Sequence, residues 1–201
     1  MDETGVRVDG VRHWAWVFTT RNDTLVAIRK SRGKRVLREV LGMGFEGVVV
    51  CDGWRSYPGF TSRIQRCSAY LLREARYLAE HVEEAKPLSK ALHMLYRRLN
   101  VPPMDRPPPA EAARLAVVAR AIMERWARRP YGSGEVSRFA GKVLNGVDHW
   151  FTFLTVPGVE PTNNRAERAL REFVVQRKIM GGFRNGKGTR IYETIMTVLL
   201  T

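Results

Sequence analysis

Apolar and polar positions alternate through the first part of the chain. Val6 and Val8 precede an Asp9-Gly10 pair, and Trp14, Trp16 and Phe18 then fall on one side of a second run. Period-two runs flanking Asp-Gly predict an antiparallel hairpin, and Leu25 to Ile28 predicts a third strand. The period then changes. Between Lys34 and Leu41, Val36, Leu37, Val40 and Leu41 share a helical stripe, and Gly42 supplies a stop. Gly47 to Cys51 reads Gly-Val-Val-Val-Cys, the pattern of a strand covered on both faces, and it delivers Asp52 to its end.

From Tyr70 to Leu99 the spacing is helical. Leu71, Leu72, Ala75, Leu78 and Ala79, followed by Leu88, Leu92, Leu95 and Tyr96, predict two helices. The proline-rich run from Pro102 to Pro109 predicts an extended spacer, because proline lacks the amide hydrogen that a helix uses. Leu115, Val118, Ile122 and Trp126 stripe a long helix ending before Pro130. Val136, Phe139, Val143 and Leu144 stripe another, and Asn164 to Lys178 and Ile191 to Leu200 predict the last two. This order describes an α/β chain in three parts. A first core part over 1–60 holds three antiparallel strands, a helix and a strand with Asp52. An α-helical insertion with the proline spacer covers 61–145, and a C-terminal core part with a Glu-bearing helix covers 146–201. No internal repeat is visible.

Composition narrows the class. The 201 residues are 44% apolar and 27% charged. No apolar run approaches the roughly 18 residues a membrane span needs, and no signal segment opens the chain, so the expectation is a cytoplasmic protein with no membrane partner. The two cysteines, Cys51 and Cys67, read as buried thiols in a reducing compartment. Against 20 Asp+Glu stand 34 Lys+Arg, a net charge of +14. That surplus suits a polyphosphate partner, although arginine-rich genomes also produce basic surfaces without one.

Asp52 at a strand end, followed by Gly53, stands where open α/β sheets place ligand-binding groups; an Asp-Gly pair also simply caps a strand and starts a turn. Asp2 gains interest only if the first and fourth strands are neighbours. The densest block runs Pro161-Thr162-Asn163-Asn164-Arg165-Ala166-Glu167-Arg168-Ala169-Leu170-Arg171 and continues to Arg177-Lys178. Asn164 and Glu167 have capping-box spacing, and the arginines suit a solvated helix face; the same helix start also suits aiming Glu167 at the sheet. Asp2, Asp52 and Glu167 brought together would repel one another and select hard divalent cations, Mg²⁺ or Mn²⁺, two ions in a two-metal arrangement. His13, His81, His93 and His149 show no metal-ligand spacing with the cysteines. The tryptophans read as core, with Trp54 the one expected at the mouth of a site.

The chain resembles the catalytic domain of the insertion sequence 66 family of transposases. The resemblance rests on Asp2-Glu3-Thr4-Gly5 with Gly10 and Trp14-Ala15-Trp16, on Cys51-Asp52-Gly53 leading to Tyr57, and on Asn163-Asn164-Arg165-Ala166-Glu167-Arg168. Ser31-Arg32, Leu41-Gly42, Arg66-Cys67, Leu71-Leu72-Arg73, Arg177-Lys178 and Thr201 also fall in place, so it covers nearly the whole chain. It implies a ribonuclease H-like fold, a mixed sheet with flanking helices and an α-helical insertion. It implies the catalytic and metal-binding triad Asp2, Asp52 and Glu167, and DNA contacts through Asn163, Asn164, Arg165, Arg168, Arg171, Arg177 and Lys178. The implied partners are transposon-end and target DNA, a homo-oligomer on that DNA, and accessory proteins. Tyr70 stands where the family shows His. The chain opens at the first Asp, so the upstream end-recognition region is expected to be lacking and Asp2 to sit on a frayed terminus. A catalytically silent DNA-binding remnant and a stand-alone ribonuclease H-like nuclease are the alternatives.

Overall fold

The computed structural model describes residues 1–53, 56–101 and 106–201. Trp54, expected at the mouth of a site, and the stretch 102–105 of the expected proline spacer lie outside the described residues. The chain is a mixed α/β protein with small sheets that divides into two compact units, Met1–Ser62 with Asn163–Thr201, and Arg63–Thr162.

In the first unit, β1 (Asp2–Val8), β2 (Val11–Thr19) and β3 (Thr24–Arg29) form an antiparallel sheet in the order β1-β2-β3. Asp9 and Gly10 both take positive φ, 49° and 71°, as a two-residue hairpin turn requires. Val8 pairs with Val11 and Asp2 with Val17. β1 therefore starts at Asp2, which corrects the expectation of a frayed first aspartate. The Met1 nitrogen reinforces this by donating to Val50 O at 2.9 Å.

Alternation gives the sheet two apolar faces. Val6, Val8, Ala15, Val17, Val26 and Ile28 pack with Leu170 and Phe173 of a C-terminal helix and Met196 of the one after it. On the opposite face Trp16 stacks on Phe18 at 6.1 Å and donates its indole hydrogen to Ser31 O. Helix α1 (Lys34–Leu41) buries Val36 and Leu37. Strand β4 (Val49–Cys51) is shorter than the expected Gly47–Cys51. The chain bends at Gly47, where the Phe45 ring occupies the place a side chain would take.

The second unit contains β5 (Ile64–Arg66), α2 (Ser68–His81), α3 (Lys86–Leu99), α4 (Pro109–Ala127), α5 (Gly134–Asn145) and the short α6 (Thr152–Thr155). Leu71, Leu78, Leu88, Leu92, Met123, Phe139 and Val143 form its core with Trp150, Phe151 and Phe153. Pro109 belongs to α4 rather than to the spacer: it occupies the first helical turn, where no amide donor is needed. Gln65 is fully buried, and its amide donates to Trp150 O and accepts from Phe153 N.

Returning to the first unit, α7 (Asn164–Met180) covers one sheet face and α8 (Gly186–Leu200) closes the sheet edge. Ile28, Val26 and Thr24 direct their amides outward from β3, and Glu193, Thr197 and Thr201 accept them at 2.5, 3.1 and 3.2 Å. Four helical residues rise about 6 Å and two strand residues about 6.6 Å, so one acceptor per turn meets every second amide. An edge that would otherwise template another strand is thereby occupied. α8 begins five residues before the expected Ile191, because the Asn185 side chain accepts from Gly188 N at 2.9 Å and caps an earlier turn.

Candidate active site

β1 sets the geometry. Val6 and Val8 point toward α7, so strand alternation puts Asp2 and Thr4 on that same side and Glu3, Gly5 and Arg7 on the other. The Met1 nitrogen, one residue before Asp2, donates to Val50 O in β4 and to Asn163 Oδ1 at the start of α7. β1 and β4 share no ladder among the described residues, yet the start of β1 abuts the strand that ends in Cys51 and leads to Asp52.

The Asp2 carboxyl titrates at about 7, far above the ordinary 3.8. Burial is the largest cause, and the Glu3 and Asp52 carboxylates add to it, against a backbone hydrogen bond from Glu3 N at 2.9 Å and the Met1 ammonium. Asp2 and Asp52 thus lie in each other's field. Glu167 sits in the first turn of α7, half-buried, and its Oε1 is buried with no hydrogen-bond donor among the described residues. It is not among the charges acting on Asp2. Among the described residues no group of three or more His, Cys, Asp or Glu side chains is gathered as a metal site.

The capping box expected at Asn164 and Glu167 does not form. The cap residue is Asn163, it makes no side-chain cap, and its Oδ1 instead receives the Met1 nitrogen. A contact from the start of β1 has claimed the oxygen that a cap would use. Asn163 is 2% exposed and so is not presented to a macromolecular partner. Arg177 is turned inward as well, donating to Thr4 Oγ1 at 3.0 Å and to Gly5 O. Arg165 donates to the Thr20 and Arg21 carbonyls. Asn164, Arg168, Arg171 and Lys178 are exposed, and their spacing places them along one outward stripe of α7.

Glu3, Arg32 and Tyr57 form a group that the residue pattern did not single out. The Glu3 side chain is wholly buried; one oxygen accepts from Arg32 Nε at 2.8 Å and the other from the Tyr57 hydroxyl. Burial and the Glu3 charge push the Tyr57 phenol well above its ordinary 10, so it remains a donor. Glu3 pairs across the ladder with the fully buried Trp16. That placement, a carboxylate in register with an interior indole, was the available signal. Tyr57 follows Asp52 by five residues, so this hydrogen bond ties the residue after Asp2 to the segment leaving Asp52.

Cys51 and Cys67 are buried thiols outside any disulfide, as expected. No helix among the described residues is long and apolar enough to cross a membrane. No curated protein and no solved structure matches the chain. A family model described as Transposase IS66 family matches residues 1–191.

Proposed function

The chain belongs to the IS66 family of transposases, and from that premise we propose that it performs metal-dependent DNA strand cleavage and strand transfer in transposition, on a ribonuclease H-like core. The observation that carries the reading is the carboxylate crowding at the start of β1, where burial, Glu3 and Asp52 hold Asp2 at about 7. An acid kept on the verge of ionisation by burial first and by neighbouring carboxylates second is suited to a hard divalent cation, which offsets both. The buried Glu167 Oε1, which has no donor among the described residues, supports the same chemistry.

In this reading Asp2, Asp52 and Glu167 hold Mg²⁺ or Mn²⁺, with two ions as the working arrangement. Bound ions supply Lewis acidity toward the phosphodiester and acidify the attacking water or 3′-hydroxyl. The chain's residues do the rest. Asp2 releases its proton when it becomes a ligand. Glu3, fixed by Arg32 and Tyr57, holds the strand segment that carries Asp2. Exposed Arg168, Arg171 and Lys178 engage the phosphates of transposon-end and target DNA, in an oligomer on that DNA with accessory proteins.

Calorimetric titration of Mn²⁺ tests this without the transposon ends. Saturable binding is expected in the parent chain and is expected to be lost in Asp2→Asn, Asp52→Asn and Glu167→Gln. A folded parent chain that binds no Mn²⁺ would overturn the catalytic reading in favour of DNA binding without cleavage.

A further inference from the structure

We propose that Arg7 and Arg12, opposite one another on the β1–β2 hairpin, and Arg32, which shares the Trp14 ring with Arg12, form a second DNA-contact site that takes backbone phosphates. This rests on the reading of DNA as the partner, but not on the acidic site. The ladder pairs Arg7 with Arg12 and Gly5 with Trp14, so these positions share the sheet face opposite α7. The Arg12 and Arg32 guanidinium carbons lie 4.7 and 4.5 Å from the centre of the same indole ring. The Arg12 guanidinium lies over the strand at Gly5, within ordinary contact distance of where a Cβ would stand, 3.6 Å.

The charge balance is what points to an anion. Arg32 is offset by Glu3 at 2.8 Å. Arg7 donates to Gly10 O at 3.0 Å, and neither Arg7 nor Arg12 has a carboxylate partner among the described residues; Asp9 in the turn pairs with neither. Like charges directly opposite one another weaken an antiparallel ladder. Guanidinium forks match phosphate geometry, and an anion between them would remove the repulsion. With two guanidiniums already over its ring, Trp14 is a platform for cations rather than for bases, which makes the contact independent of sequence.

The α7 stripe and this hairpin occupy opposite faces of one sheet. A reaction that joins a transposon end to a target must hold two DNA segments, and two separate phosphate-binding faces meet that need.

The test is fluorescence anisotropy of a labelled DNA duplex of arbitrary sequence, titrated with the full chain across a salt series. Each phosphate contact contributes about 0.9 to the slope of log K against log salt. Arg12→Gln is expected to lower that slope by about 0.9 and the Arg7→Gln, Arg12→Gln pair by about 1.8. Arg168→Gln on α7 serves as the comparison. Both hairpin arginines are exposed, and removing one relieves the cross-strand repulsion, so the thermal midpoint is expected to hold or rise. Arg12→Glu, which sets opposite charges across the ladder, is expected to raise the midpoint and weaken binding more than Arg12→Gln. If Arg168→Gln lowers the slope while the hairpin variants retain the parent value, this site is wrong and the DNA reading stands. If the parent binds no duplex even at low salt, both fall. Weaker binding matched by an equal loss of folded hairpin variant also overturns the site.

Discussion

Replacing Asp2 with Asn is expected to make the metal-free protein more stable at alkaline pH. The substitution keeps the shape of the side chain and removes its charge. In the fold the Asp2 pKa is raised to about 7 from 3.8, with burial as the first cause, partly opposed by the Glu3 amide hydrogen bond and reinforced by the Glu3 and Asp52 carboxylates. The sign follows from linkage. The folded state holds a proton that the unfolded chain has released, so this group's contribution is fully present below pH 3.8 and is lost as pH rises through about 7. Each pH unit in that window is worth about 1.4 kcal/mol, so the full window amounts to about 4 kcal/mol. Residual solvent access to the carboxyl reduces this to about 2–4 kcal/mol, on the order of 10 °C in thermal midpoint for a chain of this size.

The assay is urea denaturation of parent and Asp2→Asn in EDTA at pH 4, 5.5, 7 and 8.5. The two proteins are expected to coincide at the acid end and to diverge steadily, with the variant the more stable above pH 7. Adding Mn²⁺ at pH 8.5 is expected to raise the parent and leave the variant where it was, because only the parent has a charge for the ion to offset. Identical pH profiles for the two proteins, or a variant that is less stable at pH 8.5, would refute the reasoning. Either result would mean that the Asp2 carboxyl is solvated rather than crowded.

Other perturbations probe the frame around this group. Tyr57→Phe deletes the hydroxyl that donates to Glu3 and leaves a buried carboxylate oxygen short of a donor; a loss of about 1–3 kcal/mol in urea denaturation is expected, and no loss would show the hydrogen bond to be immaterial. Thr197→Val removes the acceptor of the Val26 amide. Hydrogen exchange should quicken at Val26, with a cost of about 1 kcal/mol, and unchanged protection there would mean that α8 does not seal the edge. Gly182→Ala puts a methyl 2.8 Å from the Arg7 carbonyl oxygen, beside the pair of hydrogen bonds joining Arg7, Asp9 and Phe183. A drop of about 1–3 kcal/mol in stability is expected, and a neutral result would show that this crossing is loose.

Most of the elements were legible because their signals are local. The hairpin announced itself through alternation around Asp9-Gly10, and the helices of the second unit through stripes such as Leu88, Leu92, Leu95 and Tyr96. Local signals also explain the misses. Asn164 and Glu167 have the spacing of a capping box, but the helix begins one residue earlier in its cap, at Asn163, whose oxygen is taken by a residue 162 positions away. Asn185, carrying no apolar periodicity, moved the start of α8. Arg177 reads as one more cation on a basic helix, and only the packing of α7 on β1 turns it toward Thr4 and Gly5.

The most informative residues are two adjacent carboxylates that the sequence presents as near equals. A strand sends neighbouring side chains to opposite faces, and here that single rule divides their fates. Glu3 goes to the face with Trp16, where an arginine and a tyrosine satisfy both of its oxygens. Asp2 goes to the α7 face, where burial and the fields of Glu3 and Asp52 outweigh the Glu3 amide and the adjacent Met1 ammonium. The partners placed on one carboxylate show that the fold can neutralise an acid at this point in the chain. Leaving its neighbour crowded puts an electrostatic conflict at Asp2, which is the conflict that the divalent ions of the proposed function would relieve.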